Sequence, residues 1–379
     1  MKKIGILTFC FGSNYGGTLQ CVGLYKTLKK LNLNVKVINY MPENMYSFKS
    51  KYIFGTGISK KNIRNNFINL KKILKKFMIK VKYVDSILNK FNLFRKEYVE
   101  LTKSEADVKK IIESCKLNYV IVGSDQVWNG FSQFFLNEIN GKNIKKISYA
   151  ACSGTEFYEK EEEKYLSEAL KKFENISVRN EHTRKFVEKL IKISPQIVCD
   201  PSMLYDYKEF LKPNERKEKY ILTYILGNDI KEGNHKAIKK IQEIYGNLKV
   251  IAIGIPFVVS GGLHFYEWAD EVLYDASPED WLNLINNAEF IYTDSYHGTL
   301  FSMKFHKQFL AYYAEKNRAP RFMDLSKRYG IEKNVVNTLE EAIEKKSISE
   351  RIDYKNIDLL IEQHKRESME FLKKALGVN

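Results

Sequence analysis

Residues 3–40 read KIGILTFCFGSNYGGTLQCVGLYKTLKKLNLNVKVINY. An apolar run at 3–9 leads into the glycine-rich segment CFGSNYGGT, and apolar side chains then recur at helical spacing from Leu19 to Leu31. A second apolar run, NVKVINY, closes the unit. The order strand, glycine loop, amphipathic helix, strand is typical of a βαβ unit, whose right-handed crossover builds a parallel sheet. The chain therefore begins with a Rossmann-like unit.

The same alternation continues in two sets. Strand-like runs of the first set are NYVIVGSD, KKISYAAC, ISVRN and QIVCDP, all before residue 202. The apolar periodicity lapses between Pro201 and Pro213, and a second set follows with KYILTYILG, KVIAIGIP, EVLYDA, EFIYTD and QFLAYY. We therefore predict an α/β fold with two Rossmann-like domains and a C-terminal helix. The predicted boundaries are 1–205, with a basic helical insertion at about 58–98, then 206–345, then a helical segment at 346–379.

Composition bears on the partners and the cellular location of the protein. The chain has 379 residues, 62 Lys+Arg against 46 Asp+Glu and a formal charge of +16. Such an excess favours anionic partners, but a solvated basic surface explains it equally well. Five dispersed cysteines without a CxxC pair indicate reduced thiols in a cytoplasmic protein, and the histidines show no metal-ligand spacing. No apolar run is long enough for a transmembrane helix, so we expect membrane contact to be peripheral, at the inner face.

Polar clusters occur where a predicted strand gives way to a loop. In GSNYGGT, residues 12–18, Asn14, Gly16 and Gly17 precede a helix whose free N–H groups suit an anion. The segment matches neither GxGxxG nor the P-loop, which argues against NAD and ATP. A tight turn that needs its glycines sterically is the alternative.

The second cluster is VGSDQVWN, residues 122–129. Ser124 and Asp125 follow a strand, where Asp125 suits proton transfer or a sugar hydroxyl, and Trp128 offers a flat face for a sugar ring. The alternative is that Asp125 caps a helix while Trp128 lies in the core.

The third cluster is YTDSYHGTLF, residues 292–301. We expect Ser295 and His297 in an exposed turn between strand and helix, near the cleft between the domains, with Asp294 and Gly298 shaping that turn. An imidazole there suits proton transfer at neutral pH. Candidate anion-binding guanidinium groups come from Arg179, which follows a strand, and from Arg318 and Arg321, which follow QFLAYY.

Together, NYGGTLQ, VGSDQVWN, SVRN with CDPSML, and TDSYHGTLFSMKFHKQF with NRAPRFMDL resemble the polysaccharide pyruvyl transferase family, from about residue 4 to residue 330. The resemblance implies a glycosyltransferase-B-like fold and transfer of pyruvate from phosphoenolpyruvate onto sugar hydroxyls, commonly as a ketal on a bacterial cell-surface polysaccharide, without a further cofactor. The acceptor would be a sugar or a lipid-linked glycan.

The resemblance also assigns positions. His297 and Gly298 fall on the histidine-glycine motif of the family, and Arg179, Asp200, Asp125 and Arg321 fall on other recurring positions. Many members have an arginine where this chain has Ser295, so either Arg179, Arg321 or Lys304 binds the donor anion, or the donor differs.

By these roles His297, Asp125 and Asp294 are the catalytic candidates. The substrate-binding candidates are Asn14, Gly16, Gly17, Ser124, Trp128, Arg179, Ser295, Gly298, Arg318 and Arg321. A nucleotide-sugar-dependent glycosyltransferase remains the alternative of similar fold. A non-catalytic binder of glycan or nucleic acid is the alternative of another class, although no nucleic-acid motif is present.

Overall fold

The computed structural model of the chain describes residues 2–40, 66–128, 133–139, 143–154, 159–256, 266–315 and 318–378. For residues 66–77 and 80 the description covers the backbone alone. Residues 58–65 of the predicted basic insertion therefore lie outside the described residues.

The first sheet is parallel, in the order β2-β1-β3-β5-β6-β7, with β4 paired to β5. Its strands are β1 (Lys3–Leu7), β2 (Asn34–Val37), β3 (Tyr119–Val122), β4 (Asp125–Trp128), β5 (Lys145–Ser153), β6 (Asn175–Val178) and β7 (Gln196–Ile197). Its helices are α1 (Tyr15–Lys30), α2 (Asn66–Tyr98), α3 (Val108–Ser114), α4 (Lys160–Leu170), α5 (Glu181–Ile191) and α6 (Pro201–Leu204), with 3₁₀ turns at Gln133–Phe135 and Lys208–Phe210.

The second sheet is also parallel, in the order β10-β9-β8-β11-β12-β13. Its strands are β8 (Tyr220–Tyr224), β9 (Lys249–Ile253), β10 (Glu271–Leu273), β11 (Phe290–Thr293), β12 (Gln308–Tyr312) and β13 (Val335–Val336). The helices are α7 (Asn234–Tyr245), α8 (Pro278–Asn287), α9 (Tyr296–Lys304), α10 (Ala319–Tyr329), α11 (Leu339–Glu344) and α12 (Tyr354–Leu376), with a 3₁₀ turn at Glu332–Asn334. Two parallel sheets with helices confirm the prediction of two Rossmann-like domains.

Helix α1 lies between the two domains. Its buried positions, including Leu19 and Leu24, continue the core of the first sheet. At its start Tyr15 stacks on Trp281 of α8, with ring centroids 5.5 Å apart, and donates a hydrogen bond to the carbonyl of Ala276 at 2.7 Å. Burying a large apolar side chain is worth roughly 1.5–3 kcal/mol. One hydrophobic core therefore runs from the first domain into the second and holds them together.

Helix α12 confirms the predicted C-terminal helix and returns to the first domain. Its Phe371 ring lies 6.5 Å from that of Tyr149 in β5, and Lys2 donates to the carbonyl of Gly377 at 2.7 Å. No helix in the described part of the chain is long and apolar enough to cross a membrane.

Candidate active site

Two predicted clusters meet where the domains touch. Asn14 caps α1, since its Oδ1 accepts from the N–H of Gly17 at 3.0 Å. A Cβ added to Gly16 would lie 2.0 Å from Nδ1 and 2.3 Å from Cγ of His297. The imidazole of the second domain therefore lies directly against the first turn of α1. Only glycine leaves room for it at position 16.

His297 lies inside helix α9, not in the turn before it. Ser295 is the N-cap, because its Oγ accepts from the N–H of Gly298 at 3.1 Å, so the helix begins at Tyr296. His297 is 8% exposed, and the prediction of an exposed turn residue is wrong. A Cβ on Gly298 would lie 2.6 Å from Oγ1 of Thr293, so this glycine is needed sterically. The side chains of Asn14 and Ser295 are both occupied as helix caps.

A buried carboxylate, Asp200, lies at the centre of the site. Its Oδ2 accepts from Nη1 of Arg179 at 3.0 Å and from Oγ of Ser124 at 3.1 Å. Its Oδ1 accepts from the N–H and the hydroxyl of Ser202, at 2.9 and 2.8 Å. Burial alone would raise the pKa of Asp200, but the charges of His297 and Arg179 outweigh it and hold that pKa well below its usual range. Asp200 is therefore an anion.

Asp200 is also the carboxylate beside the histidine. Nε2 of His297 lies 3.4 Å from Oδ2 of Asp200, which is a charge contact longer than a good hydrogen bond. Nε2 is buried and has no hydrogen-bond partner in the described part of the chain. The predicted catalytic carboxylates, Asp125 and Asp294, instead bond to Gln126 and to Arg318. The sequence signal for Asp200 was present, since in QIVCDP an acid directly follows a strand, as Asp125 and Asp294 do in their clusters.

Arg179 occupies the wall behind Asp200. It is 4% exposed, and its Cζ lies 4.4 Å from the centre of the Tyr296 ring. Burial would lower the pKa of Arg179, but Cys152, Tyr296 and Asp200 outweigh that effect and raise it well above its ordinary value. Nε of Arg179 is buried and finds no hydrogen-bond partner among the residues that the structure describes. The predicted Arg179 is thus present in the site as a permanently charged group, already paired to a carboxylate.

Asp125 lies on the other side of the glycine loop. It begins β4 with φ of 78°, in the left-handed region that strains a residue with a side chain. Its Oδ1 accepts from the N–H of Gln126 at 2.9 Å, and Oδ2 would lie 3.5 Å from a Cβ on Gly17. The half-buried carboxylate of Asp125 therefore borders the loop and forms no hydrogen bond or ion pair with His297.

Trp128 does not offer a face to a sugar. It is fully buried, stacked on Phe135 with centroids 5.9 Å apart and packed edge-on against Phe173 at 6.1 Å. The interpretation of Trp128 as a sugar platform is wrong because the end of β4 that carries it is buried in the core, whereas Asp125 at the other end is only half-buried.

Asp294 and Arg318 form a second buried ion pair. Nη1 of Arg318 donates to Oδ2 of Asp294 at 2.5 Å, and the N–H groups of Leu226 and Gly227 donate to the same carboxylate at 2.6 and 2.7 Å. Asp294 is fully buried. Because all its oxygens are occupied, we assign Asp294 to joining the ends of β8 and β11 rather than to proton transfer. Arg318 is likewise committed to that contact.

Arg321 is a cation of the site that no described carboxylate neutralises by direct pairing. It makes no ion pair or hydrogen bond with any described residue, and its Nε is buried and unpaired. Burial, then the charges of Arg318 and Arg179, lower its pKa to about 10, so it stays protonated at neutral pH. Lys304, in contrast, lies at the opposite end of α9 over the ring of Tyr207. A half-buried guanidinium close to two like charges and without an ion pair to a described residue favours an anionic ligand.

A metal centre is not indicated. Among the described residues, no group of three or more His, Cys, Asp or Glu side chains is placed to hold a metal ion.

Comparison with known proteins agrees with the motifs. The family described as Polysaccharide pyruvyl transferase matches residues 14–315, and no curated protein matches. A putative UDP-N-acetylglucosamine 2-epimerase from Listeria monocytogenes is similar in structure, with a TM-score of 0.55 and 11% identity over 100% of this chain and 97% of that chain. The MnaA-UDP co-structure from S. aureus is similar with a TM-score of 0.52 and 14% identity, over 100% of this chain and 98% of that chain. At such identities the likeness shows the glycosyltransferase-B-like fold alone. The match over residues 14–315 identifies the chain as a member of the polysaccharide pyruvyl transferase family.

Proposed function

We propose that the protein transfers pyruvate from phosphoenolpyruvate onto two hydroxyls of a sugar in a bacterial cell-surface polysaccharide or its precursor, forming a ketal. The observation that carries this proposal is the guanidinium of Arg321, which pairs with no described residue and is close enough to Arg179 to feel its charge. Arg179 in turn pairs with Asp200, and Asp200 contacts the imidazole of His297. The donor has a phosphate and a carboxylate, and such a site favours an anion.

We assign the anion contacts to two kinds of donor group. Arg321 is free to pair with one anionic group of phosphoenolpyruvate in two-pronged fashion. The first turns of α1 and α9 present N–H groups that suit the other. Arg179 is committed to Asp200 at 3.0 Å, so it contributes charge more than direct contact. Ser295, where the family often has an arginine, contributes the cap of α9 and no charge.

The proton chemistry follows from His297. In the proposed reaction, a proton adds to C3 of phosphoenolpyruvate and makes C2 electrophilic, and a sugar oxygen bonds to C2 as its hydroxyl loses a proton. A second hydroxyl then attacks C2, the C2–O bond to phosphate breaks, and phosphate leaves. Two hydroxyl protons are released, one is recovered on C3 and the other leaves with phosphate. We assign the acid or base role to His297, with Asp200 stabilising the charged ring and Asp125 as the complementary group.

The test is release of inorganic phosphate from phosphoenolpyruvate in the presence of candidate lipid-linked sugars. General acid–base catalysis contributes about 10²–10⁴-fold, so His297→Ala should lose at least about 10²-fold in turnover. His306→Ala is the matched control, since His306 is exposed and pairs with Asp358. Release of UDP from nucleotide sugars, with none of phosphate from phosphoenolpyruvate, would instead support the glycosyltransferase alternative.

We also propose that the enzyme acts in the cytoplasm at the inner face of the membrane. A lipid-linked acceptor would be there, and the formal charge of +16 favours an anionic surface. Helix α2 exposes Met78, Val81 and Leu93. Sedimentation with vesicles containing anionic lipid, compared with neutral vesicles, tests this localisation.

A further inference from the structure

The residue before Asp200 is held by helix α12. The N–H of Cys199 donates to Oγ of Ser368 at 2.8 Å, and this hydroxyl donates onward to the carbonyl of His364 at 2.6 Å. On the other side, the hydroxyl of Tyr149 donates to the carbonyl of Cys199 at 3.0 Å. Ser368 is fully buried, so bulk solvent does not reach this contact. Both hydrogen-bonding groups of the Cys199 backbone are therefore fixed.

The same face of α12 contacts the helix that carries Arg321. Nδ1 of His364 lies 2.9 Å from the hydroxyl of Tyr329, the last residue of α10. Nε2 of His364 lies 3.4 Å from the carbonyl of Ile197, at the end of β7. His364 and Ser368 are four residues apart and thus share one helix face. Helix α12 therefore joins the segment of Asp200 in the first domain to the helix of Arg321 in the second.

We propose that Ser368 is a positioning residue for Asp200, and through it for His297. Asp200 reaches Nε2 of His297 at 3.4 Å only if its backbone stays where Cys199 is held. With alanine at position 368 the N–H of Cys199 loses its acceptor, and the peptide must turn to find another. The carboxylate of Asp200 then shifts relative to the imidazole of His297, whose position is fixed by its contact with Gly16. The turnover part of this inference rests on the proposed function, and the contact itself does not.

A double-mutant cycle separates positioning from general stability. Ser368→Ala should lower kcat for phosphate release about fivefold while KM for phosphoenolpyruvate changes less than about twofold, because Arg321 is untouched. In an Asp200→Asn background, Ser368→Ala should lower kcat by less than about 1.5-fold further, since the effects of residues that act as a unit are not additive. Ser347→Ala is the matched control: this serine is also buried but bonds the carbonyl of Lys333 in the second domain.

A second readout does not depend on the donor. At one fixed pH, the imidazole NMR resonances of His297 should shift in Ser368→Ala in the same direction as in Asp200→Asn, and should not shift in Ser347→Ala. Ser368→Cys fills the same space with a weaker acceptor, so its His297 resonances should lie between those of wild type and Ser368→Ala. This variant replaces Ser368→Ala in the test if the alanine variant does not fold. Equal losses of kcat in both backgrounds, or unshifted His297 resonances, would overturn the proposal. If the wild type releases no phosphate from phosphoenolpyruvate, the proposed function fails and the resonances alone decide.

Discussion

Replacing Gly16 with alanine should disable the site while leaving the fold intact. The added Cβ would lie 2.0 Å from Nδ1 of His297, which is about 1.4 Å short of the 3.4 Å at which ordinary contact begins. Cγ and Cε1 of the ring, at 2.3 and 2.7 Å, are also too close. No single atom of the imidazole can give way, so the whole ring must move by more than an ångström.

That displacement has a calculable cost. A misplacement of about 1 Å in a catalytic group lowers the rate about 10²-fold, equivalent to roughly 2.7 kcal/mol of transition-state stabilisation. Overpacking a close-fitted site usually costs about 1–3 kcal/mol of unfolding free energy as well. Gly16→Ala should therefore lower kcat/KM for phosphate release about 100-fold and reduce stability measurably.

The contact itself is tested by measuring Gly16→Ala in wild type and again in a His297→Ala background. Removing the imidazole makes room for the new methyl group, so Gly16→Ala should cost almost no unfolding free energy in that background, as measured by urea denaturation. Phosphate release gives the activity half of the comparison. A Gly16→Ala variant that retains activity within about threefold of wild type, or that is destabilised equally in both backgrounds, would refute the contact between Gly16 and His297.

Three further outcomes are expected. Arg321→Met should raise KM for phosphoenolpyruvate by about tenfold or more and abolish the rise in Tm that the donor causes in wild type, whereas Arg216→Met, which breaks a surface pair with Glu271, should do neither. Trp128→Phe should leave the acceptor KM unchanged but lower the unfolding free energy by about 1–3 kcal/mol, seen in urea titrations. Burial and the charge of Arg328 lower the pKa of His364 from 6.5 to about 4, so unfolded chain binds more protons between those values. The contribution of neutral His364 to the unfolding free energy should be fully present above pH 6.5 and decrease by at most about 3 kcal/mol towards pH 4. His364→Gln should flatten this dependence of the unfolding free energy on pH.

The fold was accessible from the sequence because it rests on local periodicity. Runs such as KIGIL and YILTY become β1 and β8 since each is buried on both faces of a parallel sheet. The glycine segment before α1 and the Ser295 cluster before α9 both mark strand-to-helix junctions, which the sequence also indicated. Helix start points were less accurate: α9 begins at Tyr296, so His297, which we expected in the turn before the helix, lies inside it.

The site was less accessible because its key contacts are distant in the chain. The sequence gives no sign that Gly16 faces His297, some 280 residues away, or that Asp200 rather than Asp294 lies beside the imidazole. Asp125, Asp200 and Asp294 all follow strands and look alike locally. Their roles differ through tertiary partners: two N–H groups and Arg318 occupy Asp294, while Arg179 and His297 share one oxygen of Asp200.

The unpaired polar atoms support the proposal that this site binds a ligand. Nε of Arg179, Nε of Arg321 and Nε2 of His297 are all buried without a hydrogen-bond partner among the described residues. Each such group costs about 1–3 kcal/mol, and a whole domain has only about 5–15 kcal/mol of net stability. A bound anion would supply the missing hydrogen bonds. Without it, apolar burial in the shared core, as between Tyr15 and Trp281, offsets the unfavourable free energy of the unpaired atoms. Of the three residues only Arg321 lacks any ion pair with a described residue, so an anionic ligand gains most from pairing there, and the charge of that ligand rather than its shape should dominate binding.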